Sequence, residues 1–192
     1  MRIISGIAKG RRIRAPKGME VRPTSDRVKE SLFNIIMDRV KESRFLDLFS
    51  GTGNIGIEAI SRGADWVTFV ERDPRFRKVI RENLSLLGLE SRCEIISSGA
   101  AEYIKRGARE GKRFNIIFVD PPYKSDILEK EIFPLLGESE ILASDGVVVV
   151  EHYFKKKLPD SAGKLIHGED YRYGDTVLSF YESGNSEEAL RG

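Results

Sequence analysis

The chain has little of the chemistry that cross-links a fold or holds a metal. Its 192 residues contain one cysteine, Cys93, so no internal disulfide can form. Within the strand-like run Cys93-Glu94-Ile95-Ile96 that thiol reads as a small core residue rather than a nucleophile. The two histidines, His152 and His167, stand apart with no Cys or His partners nearby in sequence, which argues against a metal site. No apolar run approaches the roughly 18 residues that a membrane-spanning helix needs, and the basic N-terminus lacks the apolar stretch of a signal peptide. A soluble, cytoplasmic protein is expected. Internal repeats and low-complexity segments are absent, and residues 1–18 contain no acid.

What is present is enough to bury a core. With 40% hydrophobic residues, the length fits one domain with a small appendage. The net charge of +2 is unevenly spread: residues 1–30 hold nine Lys/Arg against three acids, a local +6, which leaves −4 for the rest. A basic arm on a slightly acidic body suits phosphate recognition and salt-dependent binding of nucleic acid. The ordinary alternative is a solvated face. The lack of acids in the first 18 residues favours the nucleic-acid reading.

The punctuation of the chain divides it into an arm at 1–23, a main domain at 24–183 and a polar tail at 184–192, expected to fray. Arg2–Ile7 and Arg11–Ala15 are predicted to pair as a hairpin around Ala8-Lys9-Gly10. A helix is predicted to start near Thr24, Ser25 or Asp26, with Val28, Leu32, Ile35, Ile36 and Val40 on its apolar face. Strands then alternate with helices. The strands are placed at Phe45–Phe49, Trp66–Val70, Cys93–Ile96, Phe114–Val119 and Val147–Glu151, the helices at Asn54–Ser61, Pro74–Leu87, Ala100–Ala108 and Ile127–Leu136. Such a βα repeat implies an α/β fold with a mostly parallel, doubly wound sheet. Lys164–His167 and Thr176–Tyr181, flanking Gly174-Asp175, read as a C-terminal antiparallel pair.

Two strand ends carry the chemistry. The first strand runs into Asp47-Leu48-Phe49-Ser50-Gly51-Thr52-Gly53-Asn54-Ile55-Gly56, which satisfies G-x-G-x-x-G, with Glu71 twenty residues after Gly51 to receive ribose hydroxyls. A dinucleotide is the rival ligand. Asp47 would repel a pyrophosphate and attract an amine-bearing cofactor, although it can also serve simply to bond backbone. S-adenosylmethionine has an ammonium, a sulfonium and a ribose, and no phosphate. The second strand end is Asp120-Pro121-Pro122-Tyr123, after Phe114–Val119. The prolines fix φ and remove two N–H groups, leaving a carboxylate and bare carbonyls as acceptors beside an aromatic ring, a set that suits a planar amine. A proline turn with a solvent-facing Asp is the alternative. In a doubly wound sheet the first and fourth strands are neighbours, so these two motifs are expected to share one pocket.

Those two motifs are similar to the cofactor and catalytic motifs of Rossmann-like S-adenosylmethionine-dependent methyltransferases that act on exocyclic amines. The opening Gly6-Ile7-Ala8-Lys9-Gly10-Arg11-Arg12, the segment Arg22-Pro23-Thr24-Ser25-Asp26-Arg27-Val28-Lys29-Glu30-Ser31-Leu32-Phe33-Asn34 and Tyr173-Gly174-Asp175 resemble the RsmD family of bacterial 16S ribosomal RNA guanine-N2 methyltransferases. The resemblance implies catalytic roles for Asp120, Pro121, Pro122 and Tyr123. It implies a cofactor site at Asp47, Phe49, Ser50, Gly51, Thr52, Gly53, Asn54 and Glu71, with Ser98, Gly99 and Ala100 beside the adenine and no metal. RNA would meet Lys9, Arg11, Arg12, Arg14, Arg22 and Thr24, the last two closing the pocket or holding a phosphate. One departure stands out: related enzymes often place an acid after the third strand for the adenine amine, and Ser97-Ser98-Gly99-Ala100 has none. Adenine N6, a protein glutamine and a non-enzymatic dinucleotide-binding module remain the alternatives to a guanine in 16S ribosomal RNA or in a small-subunit assembly particle.

Overall fold

The computed structural model of the protein describes residues 1–15, 25–122 and 125–184. The chain divides into two compact units, Met1–Gly99 and Ala100–Gly192. Strands alternate with helices through the first unit and the beginning of the second, as an α/β fold requires.

The first unit contains three parallel strands, β1 (Arg44–Asp47), β2 (Trp66–Val70) and β3 (Cys93–Ile96), in the order β3-β2-β1. Phe45, Leu46, Val67, Phe69 and Val70 are buried, whereas every residue of β3 is half-buried. Cys93 is therefore not the core residue its neighbours suggested. Burial pushes its thiol up to about 11, so it stays protonated near neutrality.

The helices of this unit form where local signals coincide. Ser25 caps α1 (Asp26–Ile35) by accepting from Val28 N, and Val28, Leu32, Ile36 and Val40 are buried as expected. Ile35, at the margin of that stripe, is 37% exposed, and Phe33 is buried instead. The winding breaks at Ile36 and resumes as the short α2 (Met37–Val40). All eight residues of α3 (Asn54–Ser61) are buried. Asp73 caps α4 (Pro74–Leu87) ahead of Pro74, and Gly88 ends it in the left-handed region.

The two arm segments pair antiparallel, over a shorter span than two regular strands. Arg2 and Arg12 form an antiparallel bridge, and Ile3 N donates to Arg11 O at 2.9 Å, Gly10 N to Ile3 O at 2.8 Å and Ile13 N to Met1 O at 3.2 Å. Other N–H groups of the arm bond to α3. Ile4 N and Ser5 N donate to the Glu58 carboxylate at 2.8 and 3.0 Å, Ile7 N to Ser61 O at 2.8 Å and Ala8 N to Ser61 Oγ at 3.0 Å. A Cβ on Gly6, whose φ is +81°, would collide with Ser61 O, so only glycine lets the turn lie this close.

The second unit orders its strands β4-β5-β8-β7-β6, where β4 is Phe114–Val119, β5 Leu142–Tyr153, β6 Ser161–Ala162, β7 Leu165–Tyr173 and β8 Thr176–Ser183. β4 and β5 are parallel and the remaining pairs antiparallel. The continuous run Val147-Val148-Val149-Val150 is buried, as in a strand covered on both faces. Beside α5 (Ala100–Arg109), the predicted helix at 127–136 becomes a π-helical turn, Leu128–Ile132, followed by α6 (Phe133–Glu138). The shift adjoins Pro134, which has no N–H to give the Lys130 carbonyl.

The histidines, far apart in sequence, meet here. His152 Nε2 lies 2.8 Å from Ser179 Oγ, Ser179 donates to Asp170 at 2.5 Å, and His167 Nε2 lies 2.8 Å from the same carboxylate oxygen. Among the described residues no group of three or more His, Cys, Asp or Glu is placed to hold a metal, and no helix is long and apolar enough to cross a membrane.

Candidate cofactor and substrate-amine sites

The glycine loop leaves the carboxyl end of β1 and is organised by its own backbone. Ser50 Oγ donates to Asp47 O at 2.7 Å, Gly53 N donates to Ser50 O at 2.7 Å, and Gly53, at φ +78°, starts α3. A Cβ on Gly56 would collide with the Phe69 ring, so this glycine sets how closely α3 packs on β2. At Gly51 a Cβ would meet nothing within 4 Å, which leaves the loop backbone open on the side where a ligand would approach.

Glu71, at the end of β2, accepts from Gly51 N at 2.9 Å through one oxygen and from Asp73 N at 2.8 Å through the other. Both oxygens keep a lone pair for further donors such as ribose hydroxyls. Asp47 is 2% exposed and its Oδ2 accepts from Gly56 N at 3.2 Å. Burial pushes its carboxyl up to about 7; the Gly56 N–H opposes the rise and the Glu71 charge adds to it. Its bond to the backbone is the structural role that sequence left open beside ligand attraction.

Three buried polar side chains, of which the sequence marks only Asn54 as a site candidate, connect this loop to the arm. Lys29, fully buried, donates to Arg2 O at 2.6 Å and Asn54 Oδ1 at 2.8 Å and pairs with Glu58 at 3.3 Å. Burial lowers the Lys29 pKa while Glu58 holds it up. Asn83 accepts from Arg14 N at 2.7 Å and donates to Arg14 O at 3.1 Å and Thr52 O at 3.3 Å. With its Oδ1 taken by Lys29, Asn54 presents Nδ2 as a buried donor with no partner among the described residues, beside the glycine loop. Such a group fits a site that a polar ligand completes. Ser98, buried after β3, donates to Gly99 O at 3.1 Å, and Ala100 begins α5.

The second unit carries the amine motif. Asp120 is half-buried directly beyond β4, Pro121 is buried and Pro122 exposed. Ser125 N donates to Pro122 O at 2.9 Å, and Lys156 Nζ, from the segment after β5, donates to Ser125 O at 2.8 Å. Sequence reasoning misses that lysine; its place in Tyr153-Phe154-Lys155-Lys156-Lys157 is the signal that could have marked it. Tyr123, Arg22 and Thr24 lie outside the described residues.

The arm's Lys9, Arg11, Arg12 and Arg14 are all exposed. Arg11 donates to Leu86 O at 2.8 Å, and Arg14 lies 3.8 Å from Glu82.

Comparison with known proteins places these motifs in a family. The model described as "Conserved hypothetical protein 95" matches residues 1–182. The chain is 39% identical to YlbH of Bacillus subtilis, provisionally named an rRNA methyltransferase, over 95% of this chain and 98% of that one. It is 35% identical to Ribosomal RNA small subunit methyltransferase D of Escherichia coli over 83% of this chain and 78% of that one. Among solved structures, Escherichia coli yhhF, provisionally named a methyltransferase, superposes with a TM-score of 0.84 at 32% identity, covering 96% of this chain and 98% of the other.

Proposed function

The chain belongs to the family matched over residues 1–182, the RsmD family, and from that premise we propose that it methylates the exocyclic N2 amine of a guanine in 16S ribosomal RNA. The fold is that of a class I methyltransferase, the methyl donor is S-adenosylmethionine, and the substrate class is ribosomal RNA. The observation that carries the amine reading is Asp120 at the carboxyl end of a buried parallel strand, followed by two prolines that supply carbonyls and no N–H.

Guanine N2 is a weak nucleophile because its lone pair is delocalised into the ring. With Asp120 and the Pro121 carbonyl accepting its two protons, the nitrogen pyramidalises and turns that lone pair toward the sulfonium methyl. Catalysis is then mainly positioning and electrostatics. Tyr123 supplies a face for the base, which must leave its stack in the RNA to be reached. Glu71 receives the ribose hydroxyls, the glycine-loop backbone lies along the cofactor, and the unsatisfied Asn54 Nδ2 offers it a donor. Serine and backbone at 98–100 take the adenine edge that an acid takes in related enzymes. The arm at 1–23 holds RNA phosphates through Lys9, Arg11, Arg12 and Arg14, and Arg22 and Thr24 close the pocket or hold a phosphate. The preferred substrate is the 16S strand, free or within an assembling small subunit.

Two measurements test this reading. In calorimetry the protein binds S-adenosylmethionine or its demethylated product and not NAD. In nucleoside mass spectrometry, digested ribosomal RNA from a strain lacking the gene loses N2-methylguanine and no other methylated nucleoside. Loss of N6-methyladenine instead would move the reaction to adenine.

A further inference from the structure

The carboxyl end of β5 carries a surface that the amine site does not use. β4 and β5 are parallel with Val119 opposite Val150, so Asp120 is level with Glu151 and β5 continues past it through His152 to Tyr153. At about 3.3 Å per residue, Tyr153 and Phe154 lie roughly 7–10 Å farther along the strand direction than Asp120. Phe154 N donates to Asp175 O at 3.0 Å, and Tyr153 pairs with Thr176, so the β7–β8 turn holds this end in place.

On that base the side chains form a stack. The Tyr153 and Phe154 rings meet edge-on at 4.8 Å. The Arg172 guanidinium carbon lies 4.0 Å from the Phe154 ring centroid, and Arg172 Nε donates to Gly174 O at 2.9 Å, which fixes the guanidinium. Lys155 Nζ lies 5.7 Å from the same ring. The three lysines divide by direction. Lys156 turns inward to Ser125 O and to Glu129 at 3.0 Å, whereas Lys155 and Lys157 are exposed, as is Arg172. No acid occurs between His152 and Pro159. Of the acids nearby, Glu151 is buried, Glu129 is paired with Lys156, and Asp175 sits exposed in the turn.

We propose that this Phe154–Arg172 stack is a platform for a nucleotide flanking the methylated guanine, with Lys155 and Lys157 meeting the adjoining phosphates. The proposal rests on the ribosomal RNA reading above. A base lifted out of its stack leaves neighbours that have lost a stacking partner, and an aromatic ring with a guanidinium plane replaces it without regard to sequence. Exposed cations on either side follow a single strand's backbone. Lys156, bonded to the loop after Asp120-Pro121-Pro122, ties the platform to the amine motif. A folded acidic protein would be attracted by the same charges but gains nothing from a guanidinium clamped on a ring.

The full-length protein is tested with a single-stranded RNA oligonucleotide and with small-subunit RNA as methyl acceptor. Phe154→Ala and Arg172→Ala should each weaken RNA binding about 5- to 100-fold and raise KM for RNA, with S-adenosylmethionine affinity unchanged. Phe154→Trp should retain binding and Phe154→Leu should not, which separates stacking from simple apolar filling. Lys155→Gln with Lys157→Gln should flatten the log–log salt dependence by roughly 0.7 for each phosphate no longer neutralised. Wild-type KM and affinity in Phe154→Ala would overturn the platform. So would rescue by Leu, or binding of an acidic peptide that is lost in the variants while RNA binding persists. Failure of the ribosomal RNA reading looks different, because the wild-type protein would then methylate no ribosomal RNA at all.

Discussion

The loops that leave β1 and β4 are rigid for opposite reasons. After β1 the backbone turns through Gly51 and Gly53, both at positive φ, and is tied by its own bonds: Gly51 N to Glu71, Gly53 N to Ser50 and Gly56 N to Asp47. After β4 there are no such donors at Pro121 and Pro122, and the rings alone fix φ. One loop is rich in N–H groups and arranged to hold a ligand, whereas the other removes them and leaves a carboxylate and carbonyls to receive protons. The proposed function gives binding and chemistry to different strand ends.

The strongest way to break that division is to remove each carboxylate in turn. Asp120→Ala should lower kcat by at least about 10²–10³-fold, the size of effect seen when one positioned transition-state partner is removed, while calorimetry finds cofactor affinity unchanged. Glu71→Ala should do the reverse, weakening cofactor binding about 10- to 100-fold for the loss of hydrogen bonds to a charged acceptor, with RNA affinity intact. If Asp120→Ala lost the cofactor and Glu71→Ala did not, the two strand ends would have to exchange roles.

Asp47 sharpens the comparison through pH. Its carboxyl is pushed from 3.8 to about 7 in the fold, chiefly by burial, so the folded protein keeps a proton that the unfolded chain releases at lower pH. The resulting stability is full below about pH 4 and is lost as pH rises through 7. Asp47→Asn keeps the acceptor for Gly56 N–H and removes the titration. Its melting temperature should vary less than the wild type's between pH 5 and 8 and exceed it at pH 8. A wild-type pH profile in the variant would show that Asp47 is ionised throughout.

The smallest effect concerns the arm. Replacing Arg11, Arg12 and Arg14 with Ala should flatten the salt dependence of RNA binding by roughly 0.7–0.9 for each phosphate that an arginine had neutralised, with cofactor affinity nearly unchanged. A wild-type salt slope with wild-type methylation would leave these arginines as a solvated face.

Much of this fold is readable from local chemistry. Trp66–Val70, Cys93–Ile96 and Phe114–Val119 are bounded correctly because short apolar runs stand between turn signals, and Asn54–Ser61 and Pro74–Leu87 because glycine, Asp73-Pro74 and Gly88 mark their ends. The motif glycines and Glu71 follow from spacing. What stays hidden depends on contacts distant in sequence. Nothing near Ile4 or Ser5 shows that their N–H groups bond Glu58, so the sequence predicts the hairpin but not its attachment to α3. Lys29, Asn83 and Lys156 look like ordinary helix or loop polar residues until the fold brings Arg2 O, Thr52 O and Ser125 O to them. The half-burial of Cys93 follows from β3 ending the strand order, which no property of its own four residues reveals.

The way the arm is attached bears on how it exchanges amide hydrogen with solvent. The N–H groups of Ile4, Ser5, Ile7, Ala8 and Arg14 donate to Glu58, Ser61 and Asn83, while those of Ile3, Gly10 and Ile13 bond across the arm. The arm is therefore tied to the helices along its length as well as by its own short ladder. The amides bonded to Glu58, Ser61 and Asn83 become available to deuterium when α3 and α4 loosen, and they share the protection of those helices. An appendage that would be the first part of a free hairpin to fray is instead one cooperative unit with the cofactor-side helices.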